Sequence, residues 1–460
     1  MFFSFFLACW STADDIHEVH TTSSPTAYRT EGTDVVIVVL DTLRADHLTQ
    51  YGHERDTSPG LGTFASVATR FDSAWAPASW TLPSTTTILT GQHPLRHGMR
   101  HPGDILPAAT VTLAEGLRDA GWHTGGFSHN VSVAPRHGMN QGFDHFTINT
   151  GKVLGYPHAR KLVVAAQSWL DDQARGPTLL FLQPMNCHGP YKFPESKSTA
   201  LLGREPSGGF QYYEGLMGKI LSDRDMTQRK AVKPRYVASA REQYDTAVRY
   251  ETDEVGRLFE ELKQRGRFED ALIILTADHG EEFFEHGGFS HGYSLFSEVL
   301  RVPLWVKMPG QRAPGVVTAP VSLADIVPTV LEGVGLPPGS ATLDGHSLIP
   351  LLKGETRPAT PLVFEVDWQK RFVGAAILSE GWKLVRIDQN YEGLHDTNRL
   401  FDTTADPGEK DNVAKKHPKR VQSLSTLLDT RIRELSSGIV PESRITDDDK
   451  KQLEALGYLE

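Results

Sequence analysis

Cysteine is almost missing from this chain: there are two in 460 residues, Cys9 and Cys187, far apart in sequence. Neither a disulfide framework nor a cysteine zinc site can be built from that pair. Basic charge is also short. Lys and Arg total 47 against 57 Asp and Glu, a formal net charge of -10. No basic block offsets it, which argues against a nucleic-acid partner. No apolar run is long enough to span a bilayer, and even the opening MFFSFFLACW is too short. No internal repeat or low-complexity segment stands out. The remaining composition, with 39% hydrophobic residues, is ordinary for a folded chain and sufficient for one large α/β domain with a smaller one attached.

Apolar, β-branched runs are present, and each ends in polar residues. Val35 to Leu40 stops at Asp41. Leu179 to Leu182 leads to Asn186, Cys187, His188, Gly189, Pro190 and Tyr191, and Ala271 to Leu275 leads to Thr276, Ala277, Asp278, His279 and Gly280. Continuous apolar runs of this length suit parallel strands covered on both faces. Between them lie helical patterns, such as Val248, Val255, Leu258, Phe259 and Leu262 on one face, opposed by Glu251, Asp253, Glu254 and Arg257. Strands alternating with amphipathic helices predict a parallel sheet with helices on both sides, and a ligand site at the carboxyl ends of its strands.

The stretch SWTLPSTTTILTG, Ser79 to Gly91, reads as a turn entering a short helix, with Pro83 near its start and Gly91 past its end. Threonine is a mediocre helix former, so the segment is not built for helix stability. It places the Thr81 hydroxyl at a helix start, where an anion is stabilised. A single Asp after a strand is more often a helix cap than a ligand. Asp278 beside His279 is stronger, because a carboxylate and an imidazole side by side suit a divalent metal. With Asp41 and Thr81 added, separate segments supply four candidate donors to one sheet edge.

Four stretches in order, VVLDTLRADHL, SWTLPSTTTILTGQHPLRHG, ADHGEEF with the later SHGYSLFSEVLRVPL, and LFDTTADPGEKDNVA, together resemble the sulfatase family of the alkaline phosphatase superfamily. ITDDDKKQLEALGYLE is similar to that family's closing segment. The resemblance runs from about Asp34 to the C-terminus. It implies an alkaline-phosphatase-like α/β/α sandwich with a mostly parallel central sheet, plus a small C-terminal antiparallel-sheet subdomain. By position, it puts the nucleophile on Thr81 and the ligands of one divalent metal ion (Mn, Mg, Ca or Zn) on Asp41, Thr81, Asp278 and His279. His291 and His188 match positions that contact the transferred group or protonate the leaving oxygen. His129 and Asn130 fall near a position where many relatives carry a lysine, and the resemblance offers both as substrate-binding residues.

The chain departs from the family in ways that bear on chemistry. Sulfatases proper carry Cys or Ser at the Thr81 position, oxidised to formylglycine, and Arg at the Thr85 position, so no formylglycine is expected here. The family's second acid after the first metal-binding aspartate is Thr42. A threonine alkoxide can attack phosphorus or sulfur once a metal favours it. A sulfated threonine lacks the elimination route that a formylglycine hydrate has, whereas a phosphorylated one is cleared by attack of water. The expectation is therefore a metal-dependent hydrolase of phosphate or sulfate esters, with phosphodiester, phosphomonoester or phosphonate favoured. Its substrate would be a small-molecule, lipid or glycan ester. Alternatives are a transferase passing a phospho-group from a lipid to an envelope glycan, and a non-catalytic sulfatase-like binding protein.

The expected organisation is an apolar N-terminus and polar tether over 1–32, a catalytic domain over 33–356 and a small α+β subdomain over 357–460. The last rests on short alternating runs, Val363 to Val366, Val373 to Leu378 and Trp382 to Ile387, followed by a charged helix from Pro418 to Leu435. The segment from Leu202 to about Tyr236 lacks periodicity and reads as a lid or insertion. Leu7 and Ala8 before Cys9 resemble the end of a bacterial lipoprotein signal, which implies a membrane tether through Cys9 and an exported, cell-envelope location. Otherwise the N-terminus is a polar tail on a cytoplasmic protein.

Overall fold

The computed structural model describes residues 20–21, 32–148, 158–173, 176–206, 233–368, 372–387, 398–436, 438–446 and 450. Cys9, most of the lid segment and most of the closing segment lie outside them.

All three apolar runs form strands: Val35–Val39, Thr178–Gln183 and Leu272–Thr276. They are adjacent and parallel, with Val35–Val39 in the middle. The Val35–Val39 strand is buried along its whole length, as a run of β-branched residues with no polar face requires. Beyond Thr178–Gln183 the sheet continues in parallel through His123–Ser128 and His145–Ile148. On the other side Arg301–Lys307 enters antiparallel between Leu272–Thr276 and Thr69–Trp75. The sheet is thus mixed and mostly parallel, and helices sandwich it.

The register fixes the site. Val39 pairs with Thr276, and Ser128 pairs with Gln183. Asp41, Asp278 and Asn130 each follow the last paired residue of their strand by two positions. Parallel strands in register therefore carry all three to one carboxyl edge.

The helix Thr81–Thr90 is buried at every residue. Its threonines are tolerated there because their hydroxyls bond back to its own carbonyls: Thr86 to Leu82 at 2.7 Å, Thr87 to Pro83 at 3.1 Å and Thr90 to Thr86 at 2.7 Å. The methyl groups are left to pack. Gly91, at φ 68°, ends the helix in the left-handed conformation.

The helix Pro234–Gln264 carries the apolar face expected of it but corrects the opposing face. Glu251 and Glu254 are buried. Glu251 lies three residues after Val248 and four before Val255, so helical spacing puts it on the apolar stripe itself. Toward the C-terminus, Leu362–Trp368, Phe372–Ser379, Trp382–Ile387 and Asn398–Asp402 form a separate antiparallel sheet. The last of these strands was not read from periodicity. Val363, Ile377, Leu384 and Leu400 face the helix Pro418–Leu435 through Leu424 and Leu428. The alternate residues Phe364, Ala376, Val385 and Phe401 join the main core.

Candidate active site

Asp41, Thr81, Asp278 and His279 are fully buried and converge. Ligand atoms of Asp41, Asp278 and His279 all lie within 4.8 Å of one another. His279 Nε2 is 3.7 Å from Asp278 Oδ2, 4.0 Å from Asp41 Oδ1 and 3.2 Å from Thr81 Oγ1. His279 Nδ1 sits 2.9 Å from the Gly280 carbonyl, so it carries the proton and Nε2 presents a lone pair. Burial pushes the His279 pKa down to about 3, against the pull of Asp278, which keeps the ring neutral.

Asn130 donates to Asp41 Oδ2 at 2.6 Å and to Thr81 Oγ1 at 3.2 Å. Its own Oδ1 accepts from Ser132 N at 2.9 Å, which fixes the amide orientation. His129 is equally buried, but its ring nitrogens have no hydrogen-bond partner. The neighbouring charges acting on it are His158 and Lys161. Of this pair the structure brings only Asn130 into hydrogen-bond contact with the cluster.

The His291 ring lies tilted against His279, with ring centroids 4.4 Å apart, and His188 meets His291 edge-on at 4.9 Å. The turn carrying His291 is tied to the start of the threonine helix, since Gly292 N donates to Ser79 O at 2.8 Å. Glu281 Oε1 lies 3.4 Å from His291 Nδ1. Burial pushes Glu281 up to about 8 and His291 down to about 3. Burial thus favours the uncharged form of both side chains.

Sequence reasoning missed Gln183, Glu251 and Glu281. Gln183 had a signal, as a polar residue ending an apolar strand. Glu251 accepts the Cys187 N–H at 2.7 Å, and burial pushes its pKa up to about 8. Two more histidine–acid groups occur among the described residues, His47 with His53 and Asp245, and Glu282 with His286 and Glu298. Their polar atoms are occupied with one another: His47 bonds Asp245 at 2.6 Å and His286 bonds Glu298 at 2.5 Å.

The Asp41 cluster differs from these groups. Among the described residues no Lys or Arg pairs with Asp41 or Asp278, and Asp41 Oδ1 has no hydrogen-bond partner. Burial and the Asp278 charge push the Asp41 carboxyl well above its usual range. Two buried carboxylates, an imidazole lone pair and a hydroxyl, with no counter-charge of their own, fit one divalent cation.

Residues 33–336 match the sequence profile of the sulfatase family, and residues 284–438 match the profile described as N-sulphoglucosamine sulphohydrolase, C-terminal. The chain belongs to the sulfatase family. Arylsulfatase A from Homo sapiens is 26% identical over 459 residues, covering 85% of this chain and 86% of its own length. Choline-sulfatase from Rhizobium meliloti is 25% identical over 438 residues, covering 83% and 82%. Among solved structures, a phosphonate monoester hydrolase from Silicibacter pomeroyi shares the fold with a TM-score of 0.66 at 22% identity, covering 88% of this chain and 96% of that one. Sulfatase-family enzymes are metal-dependent ester hydrolases, and this sulfatase-family chain is a hydrolase of that class with a candidate metal cluster at its sheet edge.

Proposed function

We propose that this sulfatase-family enzyme hydrolyses phosphate or phosphonate esters in preference to sulfate esters, with Thr81 as nucleophile. The observation that carries the reading is the single hydroxyl of Thr81, held 3.2 Å from His279 Nε2 inside the acid cluster. Asp41, Thr81, Asp278 and His279 would hold one divalent cation. When bound, such a cation lowers the pKa of an adjacent hydroxyl and draws charge from the non-bridging oxygens of the ester.

With its hydroxyl proton released to solvent, Thr81 Oγ1 forms the bond to phosphorus as the bond to the leaving alcohol breaks, and His291 protonates the departing oxygen. Neutral until the anionic substrate enters, His291 then takes its proton from Glu281. Asn130 orients the nucleophile, and His188 contacts the transferred group. Water then attacks the phosphothreonine and gives one proton to His291, which returns it to Glu281, and Thr81 leaves as the alkoxide. A sulfated threonine has no second hydroxyl to expel the sulfate, which is why the reading favours phosphorus. The names of relatives supply both chemistries, since sulfatases and a phosphonate monoester hydrolase are among them.

The test is a matched panel of aryl phosphate monoesters, diesters, phosphonates and sulfates assayed with manganese, magnesium, calcium and zinc. Highest kcat/KM on a phosphorus ester supports the reading. Highest kcat/KM on the sulfate overturns it. Release of an alcohol-exchanged product when a glycan or glycerol acceptor is added would favour the transferase instead.

A further inference from the structure

Gln183 is fully buried at the end of the Thr178–Gln183 strand. Its Nε2 lies 3.4 Å from Asp41 Oδ2, 3.2 Å from Asp278 Oδ2 and 3.3 Å from Thr85 Oγ1. Among the described residues, it is the side chain that bridges both acids with a neutral donor. The orientation follows from charge, because the reversed amide would aim Oε1 at two carboxylates. Thr85 leaves the space that this amide fills; a longer side chain at 85 would run into it.

We propose that Gln183 is the positioning residue of the cation site, an inference that rests on the cation reading above. Its two N–H groups tie down the Oδ2 atoms of Asp41 and Asp278. That leaves Asp41 Oδ1 unpartnered and holds the acids together before any cation arrives. A neutral amide does this without adding positive charge to a site whose two carboxylates already balance one divalent ion. An arginine or lysine in the same place would hold the acids equally well and compete with the cation for them.

The experiment measures manganese binding by calorimetry in the wild-type enzyme, Gln183→Met, Gln183→Glu and Asp41→Asn. Methionine keeps the length and volume of Gln183 and removes its donors. Outer-shell partners of metal ligands typically change affinity by about 10–100-fold, so Gln183→Met should weaken manganese binding on that scale. The loss should appear more strongly in the manganese concentration for half-activation than in kcat at saturation. Gln183→Glu adds a third carboxylate and should change affinity in the opposite direction, binding manganese more tightly while the metal-free protein melts at lower temperature. A packing role predicts near-wild-type manganese affinity in Gln183→Met.

If Gln183→Met binds manganese as the wild type does while Asp41→Asn does not, the role of Gln183 is overturned and the cation site stands. If Asp41→Asn also binds as the wild type does, the cation site itself is overturned. Should Gln183→Met fail to fold, the Gln183→Glu comparison decides, and an unchanged affinity there overturns the proposal.

Discussion

Thr81 Oγ1 and His279 Nε2 stand 3.2 Å apart although 198 residues separate them in the chain. Asn130 Nδ2 reaches the same hydroxyl at 3.2 Å, so the helix start and two strand ends meet at Thr81. Removing that hydroxyl should abolish turnover: Thr81→Ala is expected to lose at least about 10³-fold in kcat. Thr81→Ser keeps an alkoxide and loses only the restraint on χ1, so it should retain measurable phosphoesterase activity. Mass spectrometry of the wild-type enzyme quenched during turnover should find phosphate on Thr81. Full activity in Thr81→Ala would sink the mechanism.

His291 is placed to serve the leaving group, and its contribution should depend on how much help that group needs. His291→Ala is expected to slow alkyl esters by about 10²–10⁴-fold and p-nitrophenyl esters much less. Equal losses on both would remove His291 as the acid. Glu281→Gln, which takes away the neighbouring proton donor, should follow the same ranking with smaller losses.

Chelation bears on stability as well as on rate. Burial first, and then the Asp278 charge, push the Asp41 carboxyl well above its usual range when no cation lies between the acids. Adding manganese at about 100 times its Kd should stabilise the wild-type protein by about 2.7 kcal/mol. Asp41→Asn should abolish that gain and melt at higher temperature than the metal-free wild type, since it removes the cost of burying a carboxyl beside Asp278. A lower melting temperature for metal-free Asp41→Asn would overturn the claim that the buried Asp41 carboxyl burdens the metal-free fold.

The strands and their polar ends were legible in the sequence because a buried parallel strand admits few residue types. The run Val35–Val39 has no solvent face on which to hide a polar side chain. Asp41, Asp278 and His279 could be read as a group because each follows such a run directly. Gln183 was legible in principle and passed over, because one polar residue at a strand end looks like a turn. Glu251 and Glu281 were harder to see. A glutamate on a helix or in a loop reads as solvated, and only the packing of Glu251 onto the Cys187 N–H shows otherwise. The register that sets Asn130 beside Asp41 depends on pairings between strands far apart in sequence, which periodicity within one segment does not encode.

Asp245 anchors the segment after Asp41 to the long helix. Asp245 is fully buried and bonds His47 Nδ1 at 2.6 Å, His53 Nε2 at 3.2 Å and the Arg55 guanidinium. Burial alone would push its carboxyl up, but the hydrogen bonds and charges of His47 and His53 hold it well below the usual carboxylate range. A depressed native pKa means that the stabilisation is fully present above the unfolded value, about 3.9, and is lost as pH falls through the native one. Asp245→Asn should therefore cost about 1–3 kcal/mol at pH 7, measured by urea unfolding. The deficit should persist at pH 5 and shrink below about pH 4, where the wild-type unfolded chain begins to take up the proton. His47, which burial pushes below its usual pKa, loses its carboxylate partner in the variant and should stay neutral to lower pH. A deficit that stays constant from pH 7 to pH 3 would show that the anchor acts through shape and not through the Asp245 charge.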